Sequence, residues 1–340
     1  NFVVFESYAS NLVSGDTNGL QDVFIYSISG DTFERVSVDS SEVQANSSSY
    51  APSVSADGRY VVFHSLASNL VASDTNGYND IFLRDRTAGT TVRLSVSSSG
   101  TQANHMSAFA TISDDGDIVA FVSRAANLVA SDTNGDDDIF VREVSTNTTV
   151  RVSKDSSGTQ ANDYSSDARV SADGNFVVFS SKATNLVSGD SNSCSDVFIH
   201  ELSAATTTLV SKNTGGTIGN RDSWEPDVSD DGRYVVFSSR AGNLIGSDTN
   251  GYADVFVRDR QASTTTLVSV PNIGGQAKGT SGEPNISDDG RYVTFSSRAD
   301  NFISDDTNKE IDVYVHDLTS LATQLISRSG TGSIGNKKSA

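Results

Sequence analysis

Hydrophobic and polar positions along this chain alternate in short blocks. In one stretch, PDVS (226–229) meets an Asp231-Gly232 turn, and the apolar run RYVVFSS (233–239) follows. A long polar loop, RAGNLIGSDTNGYA (240–253), leads into DVFVRD (254–259), and TTTLVSV (264–270) closes the pattern. These are β-branched and aromatic runs bounded by Asp, Gly, Ser and Asn, with no segment of helical periodicity, so four strands are predicted.

The block recurs. DTNGLQDVF (16–24), DTNGYNDIF (74–82), DTNGDDDIF (132–140), DSNSCSDVF (190–198), DTNGYADVF (248–256) and DTNKEIDVY (306–314) start 58 residues apart at every step. Four strands per unit, repeated six times without insertion, is the signature of propeller blades. We therefore expect an all-β, six-bladed β-propeller with four antiparallel strands per blade, forming a single domain over 1–340. Ala340 aligns with Gly282 and Asn1 with Arg291, so the equivalent of EPNISDDG (283–290) is absent. The expectation is that one blade combines strands from both chain ends. An open solenoid would carry polar capping repeats, and none is visible.

Composition adds a charge argument. The chain is 36% hydrophobic and carries 43 acidic against 24 basic residues, a formal net charge of −19. That balance opposes nucleic acid, whose binding needs Lys and Arg on phosphates, and it opposes an anionic membrane surface. It suits a protein that holds divalent cations, and equally one that is merely soluble. The lone Cys194 excludes an internal disulfide framework and a cysteine zinc site. No apolar run approaches the roughly 18 residues that would span a bilayer, so membrane insertion is not expected. Asn1 falls in the strand-like run FVVF, from which we expect that an upstream leader has been removed and that the protein is secreted, periplasmic or at the cell surface.

The pattern xPxxSxDGRYVxFxS … DVFVRD … TLVS resembles TolB-like propeller repeats over the entire chain. The resemblance implies a propeller fold and export. It leaves function open, because the family includes periplasmic scaffolds, peptidase propeller domains and polysaccharide lyases. The long DTNG loop is a departure from the usual repeat.

That loop carries the candidate chemistry. D-x-N-x-x-x-D offers carboxylate, amide oxygen and carboxylate, and its Gly permits a tight turn; Ca²⁺ takes six to eight such oxygens. The expected ligands are Asp16, Asn18 and Asp22; Asp74, Asn76 and Asp80; Asp132, Asn134 and Asp138; Asp190, Asn192 and Asp196; Asp248, Asn250 and Asp254; Asp306, Asn308 and Asp312. Up to six Ca²⁺, one per blade, would offset the twelve motif aspartates. The alternative is an Asx-turn, in which Asp and Asn bond the local backbone before the strand. Extra acids Asp136 and Asp137 distinguish the third loop, Ser193 replaces Gly in the fourth, and Lys309 in the sixth predicts the weakest site. A second recurrent residue, Asn11, Asn69, Asn127, Asn185, Asn243 and Asn301, reads as a cap on loop backbone, with the next Leu or Phe plugged into the core, or alternatively as a further oxygen ligand.

No catalytic constellation stands out. G-x-S-x-G and H-E-x-x-H are absent, and GTGSIG (330–335) sits in a blade connection with no following helix. His200 and His316 share a repeat position that holds Arg in three blades, which suggests surface-strand residues. Asymmetry is confined to single positions near the expected channel mouth: Tyr50, Phe109, Trp224, Glu225 and Glu283 are candidate ligand-binding residues. Trp224 flanked by acids would suit a sugar ring or a peptide anchor, or packing between blades. We expect a calcium-stabilised binding or structural module with a protein or carbohydrate ligand. The alternatives are a polysaccharide lyase or hydrolase using Glu225 and Glu283, and an envelope scaffold for a protein partner.

Overall fold

The computed structural model describes residues 1–246, 248–272, 274–304, 306 and 310–328. Its described residues form six antiparallel sheets and no helix, with strand order following chain order in every sheet. This is the architecture of a six-bladed β-propeller. The first sheet shows three strands among the described residues and the other five show four. The expected blade shared by both chain ends falls on residues 329–340, outside the described residues.

The chain divides into two compact units, 1–154 with 163–174 and 155–162 with 175–340. In the first unit, one sheet comprises Phe2–Ser7, Asp22–Ser27 and Thr32–Arg35, and the next Ser49–Val54, Tyr60–Ser65, Asp80–Asp85 and Thr90–Arg93. A third comprises Ser107–Ile112, Ile118–Ser123, Asp138–Glu143 and Thr148–Arg151. In the second unit, Phe176–Ser181, Asp196–Glu201 and Thr206–Leu209 precede two full sheets. These are Ser223–Val228, Tyr234–Ser239, Asp254–Asp259 and Thr264–Leu267, then Ser281–Ile286, Tyr292–Ser297, Asp312–Asp317 and Ala322–Leu325.

The second and third strands carry the core because both their faces are covered, which selects continuous apolar runs over alternating ones. Phe63 lies opposite Phe82 in the ladder, and their rings stack 5.8 Å apart. Phe121 with Phe140, Phe179 with Phe198 and Phe237 with Phe256 repeat the pair, and Phe295 stacks on Tyr314 in the sixth sheet. Each fully buried ring contributes about 1.5–3 kcal/mol.

Neighbouring sheets within each unit lock through the Asp-Gly turn. Gly58 has φ +73, and a Cβ there would lie 2.3 Å from the Phe2 ring of the preceding sheet. Gly232 repeats this against Phe176 at 2.3 Å. Only glycine combines that dihedral with that approach.

The first strands share a less expected feature. Each of four pairs with its neighbour through a register shift, between Tyr50 and Ser53, Ala108 and Thr111, Trp224 and Asp227, and Gly282 and Asn285. Ala51, Phe109, Glu225 and Glu283 stand there at φ 45 to 55, and Asp167 holds the same conformation at the equivalent position. Left-handed backbone costs a non-glycine residue about 1–2 kcal/mol, so the bulge re-aims one side chain per strand at a standing energetic cost.

Candidate functional site

Each DTNG loop is built on the start of the third strand. The motif's second aspartate is that strand's first residue, so Asp22, Asp80, Asp138, Asp196, Asp254 and Asp312 are all buried. A serine from beyond the fourth strand donates to each one: Ser37 Oγ lies 2.5 Å from Asp22 Oδ1 and Ser211 Oγ lies 2.5 Å from Asp196 Oδ1. The same hydroxyl accepts the N–H of Val23 or Val197, tying strand to loop.

The motif asparagine is used locally. Asn18 Nδ2 donates to Asp22 Oδ2 at 2.9 Å and to the carbonyl of Ala45, while its Oδ1 accepts the N–H of Leu20. Asn76, Asn192 and Asn250 repeat all three bonds. These are Asx-turns, with the amide nitrogen facing the aspartate. Asn308 lies outside the described residues. The bonds from Asn18 to Ala45 and from Gln44 Nε2 to Thr17 place loop and inter-sheet connection on the same side.

The second asparagine series is a cap. Asn69 Nδ2 donates to the Gln44 carbonyl and its Oδ1 accepts the Asn46 N–H. Asn127, Asn185, Asn243 and Asn301 do the same to the preceding connection. Leu70, Leu128, Leu186, Leu244 and Phe302 follow them into the core.

The six loops fall into two kinds, by a residue that the sequence reading passed over. In the first three, the last residue of the fourth strand is an arginine. Arg35 Nη1 stands 3.4 Å from Asp16 Oδ1 and 3.9 Å from Asp22 Oδ2. Arg93 lies 3.5 and 3.6 Å from Asp74 and Asp80, and Arg151 lies 3.3 and 3.7 Å from Asp132 and Asp138. In the last three loops that position is Leu209, Leu267 and Leu325. A glutamine supports some loops as well: Gln102 Nε2 donates to Asp74 Oδ1 at 2.8 Å and to Asp80, and Gln276 donates to Asp248 Oδ1 at 3.2 Å. In the fourth loop the corresponding residue is Ile218. Tyr314, replacing phenylalanine, gives its hydroxyl to Asp306 Oδ2 at 2.6 Å. The arginines and glutamines were legible in principle, since they keep the same 58-residue step.

Electrostatics follow burial. Burial pushes the Asp22 and Asp80 carboxyls up, opposed by the serine bonds and by Arg35 and Arg93. Asp138, Asp196 and Asp254 rise to about 6, in each case mainly through burial. Asp190 also rises, opposed by the Asn192 N–H. Its Oδ1 is buried with no hydrogen-bond partner, and the residue is 9% exposed. Among the described residues, no three His, Cys, Asp or Glu side chains converge on a metal position, so each loop offers two carboxylates and must draw further oxygens from backbone or water.

The candidate ligand-binding residues separate into two groups. In the first unit, Tyr50 stacks on His64 at 5.5 Å and Phe109 meets the same imidazole edge-on at 5.3 Å. Phe109 is 55% exposed, while burial lowers His64 to about 4. In the second unit, Trp224, Glu225 and Glu283 line one pocket of about 180 Å³ with Gly282, Ser296 and Arg298. Glu225 Oε2 accepts Ser238 Oγ at 3.1 Å and the Glu283 N–H at 2.9 Å. The Arg240 guanidinium lies 5.5 Å over the Trp224 ring. His200 and His316 differ from expectation. Both are buried, 2% and 4% exposed, with Nδ1 bonded to Thr207 and Thr323 on the adjacent strand, because both faces of that strand are covered.

No protein-family model matches the chain, and no curated protein matches it in sequence. Solved structures do match. TolB from Acinetobacter baumannii aligns over 93% of this chain at 15% identity and a TM-score of 0.50, and this chain spans 61% of that one. An oligogalacturonate lyase in complex with manganese aligns over 81% of this chain and 64% of its own, at 13% identity and a TM-score of 0.51. The β-propeller domain of the trilobed protease from Pyrococcus furiosus, described as having an open velcro topology, aligns over 91% and 75% at 10% identity and a TM-score of 0.54. The shared property is the fold: this chain is similar to TolB-like, lyase and peptidase propellers.

Proposed function

We propose that this chain is an exported propeller that binds a protein or carbohydrate ligand without transforming it, and that calcium stabilises its loops. The pocket of Trp224, Glu225, Glu283 and Arg298 carries the proposal. Six near-identical repeats hold one tryptophan, at a first-strand position beside two left-handed bulge residues, Glu225 and Glu283. Backbone strain kept by acidic side chains, where glycine would relieve it, points to a use for those side chains. An indole between carboxylates and an arginine suits a sugar ring or a polar peptide with an aromatic anchor.

The lyase or hydrolase alternative needs Glu225 and Glu283 as acid and base. Glu225 already accepts two hydrogen bonds on one oxygen from the scaffold, which favours a recognition role. A glycan and peptide array probed with Ca²⁺-loaded protein tests the proposal. Binding lost in Trp224→Ala with an unchanged melting temperature supports it. A bound ligand released as cleaved product overturns it.

For the loops, hard oxygen donors and buried carboxylates favour Ca²⁺ over softer metals. Two carboxylates per site give affinity on the order of 10⁻⁴ to 10⁻³ M, useful where calcium is abundant, outside the cell. At tenfold excess over Kd, each filled site adds about 1.4 kcal/mol. A melting temperature identical in EDTA and in millimolar Ca²⁺ would sink this part.

A further inference from the structure

We propose that the fourth loop is a divalent-cation site, held by the carboxylates of Asp190 and Asp196 and the Gly189 carbonyl, and that the first three loops are closed to metal by their own arginines. It rests on calcium as the cation of the loops and says where that cation goes.

The first loop shows where a positive charge belongs. The Arg35 guanidinium is faced by four oxygens: Asp16 Oδ1 at 3.4 Å, Asp22 Oδ2 at 3.9 Å, the Gly15 carbonyl at 3.4 Å and Gln44 Oε1 at 2.9 Å. Arg93 and Arg151 stand between the same two carboxylates in the next two loops. A metal ion there would have to displace a tethered cation that is already paired.

In the fourth loop the oxygens remain and the arginine is gone. Asp190, Asp196 and Gly189 occupy the register positions of Asp16, Asp22 and Gly15, while Leu209 and Ile218 replace arginine and glutamine. Gly189, Leu209 and Ile218 now line a cleft of about 440 Å³ that Lys212 also borders, whereas Gly15, Arg35 and Gln44 are bonded to one another. The cleft is a route for the ion and for the water that completes its shell, since Ca²⁺ takes six to eight oxygens. Asp190 Oδ1, the counterpart of the carboxylate oxygen nearest Arg35, is more than nine-tenths buried and has no hydrogen-bond partner, and the same holds for Asp306 Oδ1 in the sixth loop. A buried carboxylate oxygen with no donor calls for a cation.

The other two leucine-type loops are partly compensated. Gln276 donates to Asp248 and Tyr314 donates to Asp306, each giving the first carboxylate a side-chain donor where Asp190 has only the Asn192 N–H. The fourth loop is therefore the tightest site.

Calcium titration calorimetry on the full chain tests this, beside two reciprocal grafts. Leu209→Arg with Ile218→Gln gives the fourth loop the partners of the second. Arg93→Leu with Gln102→Ile does the reverse. The wild type is expected to bind one to three ions, the first graft to lose the tightest, and the second graft to gain one. Melting curves in EDTA and in Ca²⁺ report whether each graft folds, and the second should recover in Ca²⁺ what it lost in EDTA. Six ions in the wild type, or a first graft that binds as the wild type does, overturns the placement and leaves calcium standing. No ion in any variant overturns calcium itself.

Discussion

The first three repeats and the last three have one backbone plan, and two of the registers at which they differ set the character of the sites. At the end of the fourth strand the residues are Arg35, Arg93 and Arg151, then Leu209, Leu267 and Leu325. On the second strand, facing the bulge, they are Glu6, His64 and Val122, then Ser180, Ser238 and Ser296. The first change exchanges a built-in cation for an apolar wall. The second exchanges larger side chains for hydroxyls, and Ser238 and Ser296 border the Trp224 site, with Ser296 in its pocket. The same fold thus has a self-neutralised half and a half with unmet charge and open space.

The largest effects should be equal in both halves, because the core is common to them. Phe121→Ala and Phe237→Ala each remove a fully buried, stacked ring and are expected to cost about 3–5 kcal/mol in chemical denaturation. Unequal values would mean that the repeats are less alike in packing than in sequence.

Removing a guanidinium should separate the halves. Arg93→Leu in EDTA strips the Asp74–Asp80 pair of its cation and should cost about 3 kcal/mol. Leu209→Arg should cost far less or stabilise. Equal losses would erase the distinction between the two kinds of loop.

A pH profile sharpens the second register. His64 is held at about 4 by burial, below its ordinary 6.5. A lowered folded value means that the unfolded chain takes the proton first. The His64 contribution is therefore complete above pH 6.5 and is lost as pH drops from 6.5 towards 4, by about 3 kcal/mol. Asp138, Asp196 and Asp254, raised to about 6, gain stability in the same window by taking the proton first in the folded state. Paired carboxylates Asp85 and Asp259, lowered mainly by their arginines, lose stability in the same direction at lower pH. His64→Ser, which installs the residue of the second half, should flatten the melting profile between pH 6.5 and 4.5; an unchanged slope would show that the imidazole is protonated in place.

The smallest effect is again common. Arg59–Asp85 and Arg233–Asp259 are pairs at 2.7 Å with arginines 41% and 38% exposed. Arg59→Ala and Arg233→Ala should each lower the melting temperature only slightly, less still in high salt.

Much of the fold was legible because the strands are continuous apolar runs cut by Asp-Gly and Asn-rich turns, and because the 58-residue step fixes their register. The capping asparagines were legible for the same reason: a polar residue always followed by Leu or Phe has one geometry available. The bulges were not legible. Left-handed backbone at Phe109 or Glu225 has no local signal, since neither residue favours it. The burial of His200 and His316 escaped as well, because an alternation with arginine suggests solvent, and only a covered strand shows otherwise.

The sequence by itself determined the number of repeats, their strand pattern and the placement of Asp, Asn and Asp ahead of each third strand, because periodicity and turn chemistry are local. Only the tertiary structure decided what those aspartates face. Whether a carboxylate pair meets an arginine or a glutamine depends on residues 13 to 28 positions away, brought in by the fourth strand and the connection beyond it, and the tyrosine of the sixth loop comes from the third strand 8 positions on. Charge neutralisation acts through space, so six nearly identical loops have become different sites.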